Sequence, residues 1–199
     1  MNAHMVGVGV LVVGDSIARE VGAASVLRGC ATYAQDGSRL GHVAGQVARA
    51  AATLGADASS PIIHLVLVCS GANDGGDAAT AVQRHASRIA AAVEESFSAA
   101  RLVFLRSGWL SPLSELFSLQ AARALQSGGH TVKDIDGSKP YYGLPSEEGA
   151  RVAQRGLKRQ CQSQQKETMH YLPPRGDRKA FLEVQVAGII KACIPPREC

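Results

Sequence analysis

The sequence has few aromatic residues, a small net charge and no dense cysteine pattern, and each scarcity disfavours a class of protein. Aromatic residues make up 5% of the 199 residues, which disfavours a broad surface for stacking on sugars. The formal net charge is +4, and the basic residues are scattered except in 151–166, so no nucleic-acid-binding groove is expected. The five cysteines lack metal-ligand spacing and form no dense framework, so no metal site is expected and most thiols are expected to be reduced, with a bridge that involves Cys193 or Cys199 left open.

The chain also lacks a long hydrophobic run and a basic leader before its first apolar segment. We therefore expect no membrane span and no signal peptide, and a cytoplasmic location is favoured. Residues 1–5 are typical of a start methionine followed by cloning residues, which is compatible with a domain cut from a longer protein. No Gly-x-Gly-x-x-Gly follows the first apolar segment, so a nucleotide-binding domain is not favoured and no cofactor is expected. The oligomeric state is left open.

Apolar residues make up 46% of the sequence. Short continuous apolar runs alternate along the chain with stretches in which apolar residues recur at helical spacing. Short β-branched runs predict strands, and apolar residues at helical spacing predict the helices between them. This alternation predicts a three-layer α/β/α fold with a parallel sheet of about five strands. The predicted strands are Val6–Val13, Cys30–Ala34, Ile62–Val68, Leu102–Leu105 and His130–Ile135.

The carboxyl-terminal part of the chain is less regular. Residues 137–166 are interpreted as an irregular insertion within a single domain that spans 1–199. A last helix is predicted for Asp177–Ile194, with Phe181, Val184, Gly188 and Ile189 on one stripe.

Candidate catalytic residues follow three successive strands. Gly14-Asp15-Ser16 ends the first strand, and Ser16 is predicted to be the N-cap of the helix that follows. A serine at this place lies at the mouth of an α/β sheet, where helix N–H groups favour negative charge. Ser16 is therefore a candidate nucleophile. Gly37 and Asn73 follow the next two strands, and their N–H groups, with that of Ser16, could stabilise an oxyanion.

Taken together, Gly14-Asp15-Ser16-Ile17, Gly37 and Gly71-Ala72-Asn73-Asp74 resemble the first three blocks of the SGNH (GDSL-type) hydrolase superfamily. The resemblance covers nearly the whole chain and implies a flavodoxin-like fold. It also implies metal-free serine esterase or acylhydrolase chemistry through an acyl-serine intermediate. The substrate would be a small ester, a lipid or an acylated glycan.

The last block of that family is Asp-x-x-His before the C-terminal helix, where this chain has Glu167-Thr168-Met169-His170. The resemblance implies that His170 is the base and that Glu167 replaces the aspartate as orienting acid. Residues 142–149 resemble the same block, but with Gly143 where the histidine belongs. That second alignment would make the chain an inactive SGNH-fold module that binds an acyl, glycan or protein ligand. Asp134 and Asp136 are alternative orienting acids.

Overall fold

The computed structural model describes residues 9–24, 30–55, 62–71, 73–74, 79–107, 112–135 and 175–193. They form a five-stranded parallel sheet with helices, so the predicted α/β fold is confirmed. The strands are β1 (Gly9–Gly14), β2 (Cys30–Ala34), β3 (Ile63–Cys69), β4 (Arg101–Ser107) and β5 (Thr131–Ile135). The helices are α1 (Ser16–Ala24), α2 (Leu40–Gly55), α3 (Ala79–Ser96), α4 (Pro112–Ser127) and α5 (Arg175–Cys193).

The strand order β2-β1-β3-β4-β5 determines which loops become neighbours. The first strand lies between the second and the third, and Gly14 is aligned with both Ala34 and Cys69. The carboxyl ends of these three strands therefore lie side by side. The strand order reverses at β1, and the helices that follow β1 and β3 pack on opposite faces of the sheet. Open α/β sheets generally bind ligands at such a point.

Helices cover both faces of the sheet. Successive side chains of a strand point to opposite faces, so each strand contributes residues to both buried layers. On one face Val10, Val12 and the neighbouring strand residues pack against α1 and α5. On the other face Leu11, Val13 and their neighbours pack against α2, α3 and α4. This two-sided burial explains why the strands are continuous apolar runs rather than alternating ones.

The predicted stripe of the last helix is wrong at Val184 and Gly188, and the side chain of Phe181 lies outside the described residues. Val184 is 73% exposed and Gly188 is also exposed, whereas Ile189 is buried as expected. The face that packs on the sheet consists of Val186, Ile189, Ile190 and Cys193. This face buries more apolar volume than the Val184–Gly188 side, so α5 is rotated relative to the prediction.

Residues 137–174, which include the predicted insertion, lie outside the described residues. Among the helices that the structure describes, none has the length and hydropathy needed to cross a lipid bilayer.

Candidate functional site

The turn after β1 depends on glycine at position 14. Gly14 has φ +139°, a conformation that residues with a side chain rarely adopt. A Cβ atom placed there would lie 1.7 Å from the carbonyl oxygen of Cys69 on the neighbouring strand. The close approach of the Gly14 backbone to Cys69 permits a hydrogen bond: the Asp15 N–H donates to the same carbonyl oxygen at 3.1 Å. The first loop is thereby joined to the end of β3.

The N-cap of α1 is Asp15, and the prediction that Ser16 is the cap is wrong. The Asp15 carbonyl accepts the first helical hydrogen bond, from Arg19 N at 3.2 Å. Its buried carboxylate accepts a second hydrogen bond, from Ile17 N at 2.9 Å. This is the pattern of an N-cap residue bonded to the second helical position. Ser16 is consequently the first residue of the helix, and its hydroxyl is not needed for capping.

Ser16 is half-buried at the carboxyl edge of the sheet. Neither its hydroxyl nor its backbone N–H makes a hydrogen bond within the described ranges. A free N–H at the first helical position is expected, since the first N–H groups of a helix have no partner inside it. The hydroxyl, this N–H and the positive end of the α1 dipole therefore lie together.

The loop after β2 brings Gly37 to the same edge. Gly37 is exposed and has φ +71°, the left-handed conformation that favours glycine. The loop turns back on itself through a hydrogen bond from Ser38 N to the Gln35 carbonyl, at 3.1 Å. Gln35 N in turn donates to the carbonyl of Gly14, also at 3.1 Å. The Gly37 N–H itself has no partner among the residues that the structure describes.

Asn73 and Asp74 connect the loop after β3 to the loop after β2. The Asn73 side-chain amide donates one hydrogen bond to the Ser38 carbonyl at 3.0 Å, and it carries a second hydrogen. The buried Asp74 carboxylate accepts a hydrogen bond from Leu40 N, at 2.8 Å, at the start of α2. Asp74 therefore holds the loop after β3 against the start of α2.

Gln46 is a buried residue of the site that is not among the predicted site residues. It lies on the buried face of α2, is 1% exposed, and directs its side-chain amide to the strand ends. Its Nε2 donates to the Gly14 carbonyl at 2.9 Å and to the Ser38 hydroxyl oxygen at 3.0 Å. The available signal was a polar residue within the apolar stripe of Val43, Val47 and Ala50. Such a residue is buried only when its polar atoms find partners.

An exposed ion pair lies beside the loops. The exposed Arg19 and Asp36 side chains form an ion pair at 3.0 Å that joins α1 to the Gly37 loop.

The pKa of the buried Cys69 thiol is raised well above its ordinary value of 9.0, mainly by burial and also by the nearby Asp15 charge. Cys69 is therefore a neutral core residue and not a nucleophile. Over the described ranges, no group of His, Cys, Asp and Glu side chains is arranged to hold a metal ion.

The structure thus brings the loops that carry Ser16, Gly37 and Asn73 to one edge of the sheet. The other predicted site residues, Glu167 and His170, lie outside the described residues, as do Gly143 and Asp136. Among the other candidates, Asp134 is exposed near the end of β5 and pairs with Arg106 at 3.5 Å.

Comparison with solved structures identifies the fold. The chain is similar to a member of the lipolytic protein G-D-S-L family from Veillonella parvula, with 14% identity, 92% and 98% of the two chains covered, and a TM-score of 0.55. It is equally similar to a protein from Lactobacillus plantarum, with 13% identity, 96% and 100% covered, and a TM-score of 0.55. A Bacillus subtilis protein matches with 12% identity and a TM-score of 0.56, over 94% of this chain but 57% of its own.

These similarities show the fold of the SGNH (GDSL-type) hydrolases, as the sequence blocks predicted. No protein-family model matches the sequence. No curated protein matches it either. At 14%, 13% and 12% identity, these similarities show the fold alone.

Proposed function

We propose that this chain is a serine-dependent carboxylic ester hydrolase in which Ser16 is the nucleophile. One observation carries the proposal: Asp15 caps α1, and neither the hydroxyl nor the N–H of Ser16, at the edge of the sheet, has a partner among the described residues. The two other loops predicted to line the oxyanion hole are hydrogen-bonded to this turn or to each other. The SGNH hydrolase fold of the chain supports the same chemistry.

In the proposed reaction the Ser16 hydroxyl oxygen attacks the ester carbonyl, and His170 takes its proton. The carbonyl oxygen becomes negative and is held by the N–H groups of Ser16 and Gly37 and by the second hydrogen of the Asn73 amide. Collapse of this intermediate breaks the bond to the alcohol, which receives the proton from His170. Water, deprotonated by His170, then attacks the acyl-serine. The bond to the Ser16 oxygen breaks, His170 returns the proton to that oxygen, and the acid is released.

Glu167 is proposed to hold the His170 ring in its productive tautomer and to stabilise the imidazolium that forms. Glutamate can take this place in serine hydrolases, because its carboxylate can accept the second ring N–H once the backbone shifts to compensate for the extra methylene. The rival function is a non-catalytic module of the same fold, which binds an acyl, glycan or protein ligand. Two features favour it: Glu167 stands where the family has aspartate, and in the Gly143 alignment the chain would lack a base.

Labelling with a serine-reactive fluorophosphonate separates the two functions. We expect labelling at Ser16, located by peptide mass spectrometry, and its loss in Ser16→Ala. The matched control is Ser87→Ala, since Ser87 is an exposed serine on α3 and its removal should leave labelling unchanged. Ser16→Ala should also abolish turnover of p-nitrophenyl acetate while the circular dichroism spectrum stays the same. Equal turnover by Ser16→Ala and the unmodified chain would refute the proposed nucleophile.

A second set of variants tests the base and the acid. His170→Ala should lower turnover by about 10³-fold or more, as expected when a triad member is removed. Its control is His64→Ala, because His64 is exposed near the amino end of β3, away from the strand ends that carry the site. Glu167→Gln should lower turnover less than His170→Ala does. If Asp134→Asn lowers it instead, the orienting acid comes from β5.

The substrate class is tested with a panel of esters. We expect hydrolysis within a set that contains short-chain p-nitrophenyl esters, a long-chain lipid ester and an acetylated glycan. The binding module is favoured if the chain retains one of these ligands but hydrolyses none of the esters and is not labelled by the fluorophosphonate.

A further inference from the structure

The strongest unexplained feature is a buried glutamine whose two amide hydrogens are divided between two loops. Gln46 reaches from α2 to the Gly14 carbonyl and to the Ser38 hydroxyl, 32 and 8 residues away in sequence. A side-chain amide carries two hydrogens, and these two contacts use both of them. At 1% exposure the amide is shielded from water, so its contacts do not compete with solvent.

These contacts place Gln46 between the two halves of the proposed site. Gly14 lies two residues before Ser16, and Ser38 follows Gly37 directly. The Ser38 carbonyl, moreover, accepts the hydrogen bond from Asn73. A single side chain outside the three loops therefore connects to all of them, to the first two directly and to the third through Ser38.

We infer that Gln46 is a positioning residue that holds the Gly37 loop at the correct distance from the Ser16 turn. The inference rests on the proposed ester hydrolysis, in which N–H groups from both loops bind one oxygen atom. Such donors act only within about 2.7–3.1 Å of the developing oxyanion. A shift of about 1 Å between the loops would therefore weaken the transition state more than the bound ester, and can lower turnover by as much as about 10²-fold.

Replacement of Gln46 by methionine provides the test. Methionine keeps the length of the side chain and removes both hydrogen-bond donors. It also removes Oε1, a buried oxygen for which the described residues supply no partner, so only a small loss of stability is expected. The matched control is Gln83→Met, the same substitution at an exposed position of α3.

We expect kcat of Gln46→Met for p-nitrophenyl acetate to fall roughly 10- to 100-fold with KM nearly unchanged, and Gln83→Met to behave as the unmodified chain. Ser38→Ala removes the hydroxyl that Gln46 contacts and should lower kcat as well. The double variant should then lose less than the product of the two single losses, because the two groups act through one contact. An unchanged kcat, or a loss confined to KM, would overturn the inference.

Amide hydrogen exchange tests the inference independently of ester hydrolysis. The N–H groups of Gln35 and Ser38 form the hydrogen bonds of the Gly37 loop, and they should exchange faster in Gln46→Met but not in Gln83→Met. Unchanged exchange would overturn the positioning role whatever the activity. If the unmodified chain shows no Ser16-dependent turnover but the exchange increases, the proposed hydrolysis fails while the role of Gln46 in holding the loop stands.

Discussion

Replacement of Asp15 gives the sharpest test of how the first loop is built. Its carboxylate is fully buried and accepts the Ile17 N–H at 2.9 Å, and Asp15→Ala leaves that N–H without its cap. Loss of an N-cap costs about 0.5–2 kcal/mol, and a hydrogen bond to a charged group is worth about 1.5–3 kcal/mol. We therefore expect Asp15→Ala to lower the free energy of unfolding by about 2–3 kcal/mol. For a chain of this length, that lowers Tm by about 4–12 °C.

Two further variants identify the cause of that loss. Asp15→Asn keeps the side-chain oxygen, and asparagine caps helices about as well as aspartate, so its loss should be under about 1 kcal/mol. Asp36→Ala is the control, since Asp36 follows the neighbouring strand but is exposed in its ion pair with Arg19. An exposed pair contributes at most about 1 kcal/mol.

Urea unfolding followed by circular dichroism measures all three variants. The order expected for the loss of stability is Asp15→Ala first, with Asp15→Asn and Asp36→Ala both small. If Asp15→Asn destabilises the chain as much as Asp15→Ala, the buried charge and not the cap dominates. If Asp15→Ala costs less than about 0.5 kcal/mol, which is the lower limit for an N-cap, the assignment of Asp15 as the cap is refuted.

Three other residues lead to measurable predictions. Gly14→Ala would place a methyl group 1.7 Å from the Cys69 carbonyl oxygen, so we expect a loss of more than about 3 kcal/mol or no soluble protein. Gly45→Ala, at an exposed helical position where a Cβ would meet only the end of the Arg49 side chain at 3.8 Å, should instead stabilise the chain by about 0.5–1 kcal/mol in the same urea assay. Because the folded chain raises the Cys69 pKa, this thiol loses its proton more easily when unfolded, so stability should decline as pH rises above 9.0. Cys69→Ala should make that decline shallower, and an unchanged slope would contradict the shift.

The local pattern of the sequence was sufficient to predict most elements of the fold. Cys30–Ala34 was predicted with the bounds that the structure has, and the strong run before Cys69 was displaced by one residue. Strands buried on both faces produce an apolar run that can be read without knowing its neighbours. The stripe of α5 was misjudged because two faces of that helix carry apolar residues, and only packing on the sheet selects one of them.

The sequence was sufficient to predict which loops of the candidate site lie at one edge of the sheet. In a parallel sheet every strand ends at the same edge, so residues that follow strands, such as Ser16, Gly37 and Asn73, are expected there from sequence alone. The N-cap was assigned one residue too late, because serine and aspartate are both good caps and stood side by side. The hydrogen bonds that Ile17 N and Arg19 N donate to Asp15 decide between them.

By itself, the sequence determined the type and order of the elements and the edge at which the polar loops gather, because periodicity and turn chemistry are local properties. The tertiary structure alone decided the strand order, the face of α5 that is buried and the partners of Gln46. Each of these depends on atoms far apart in the chain, and no local pattern encodes which distant carbonyl a buried amide will meet.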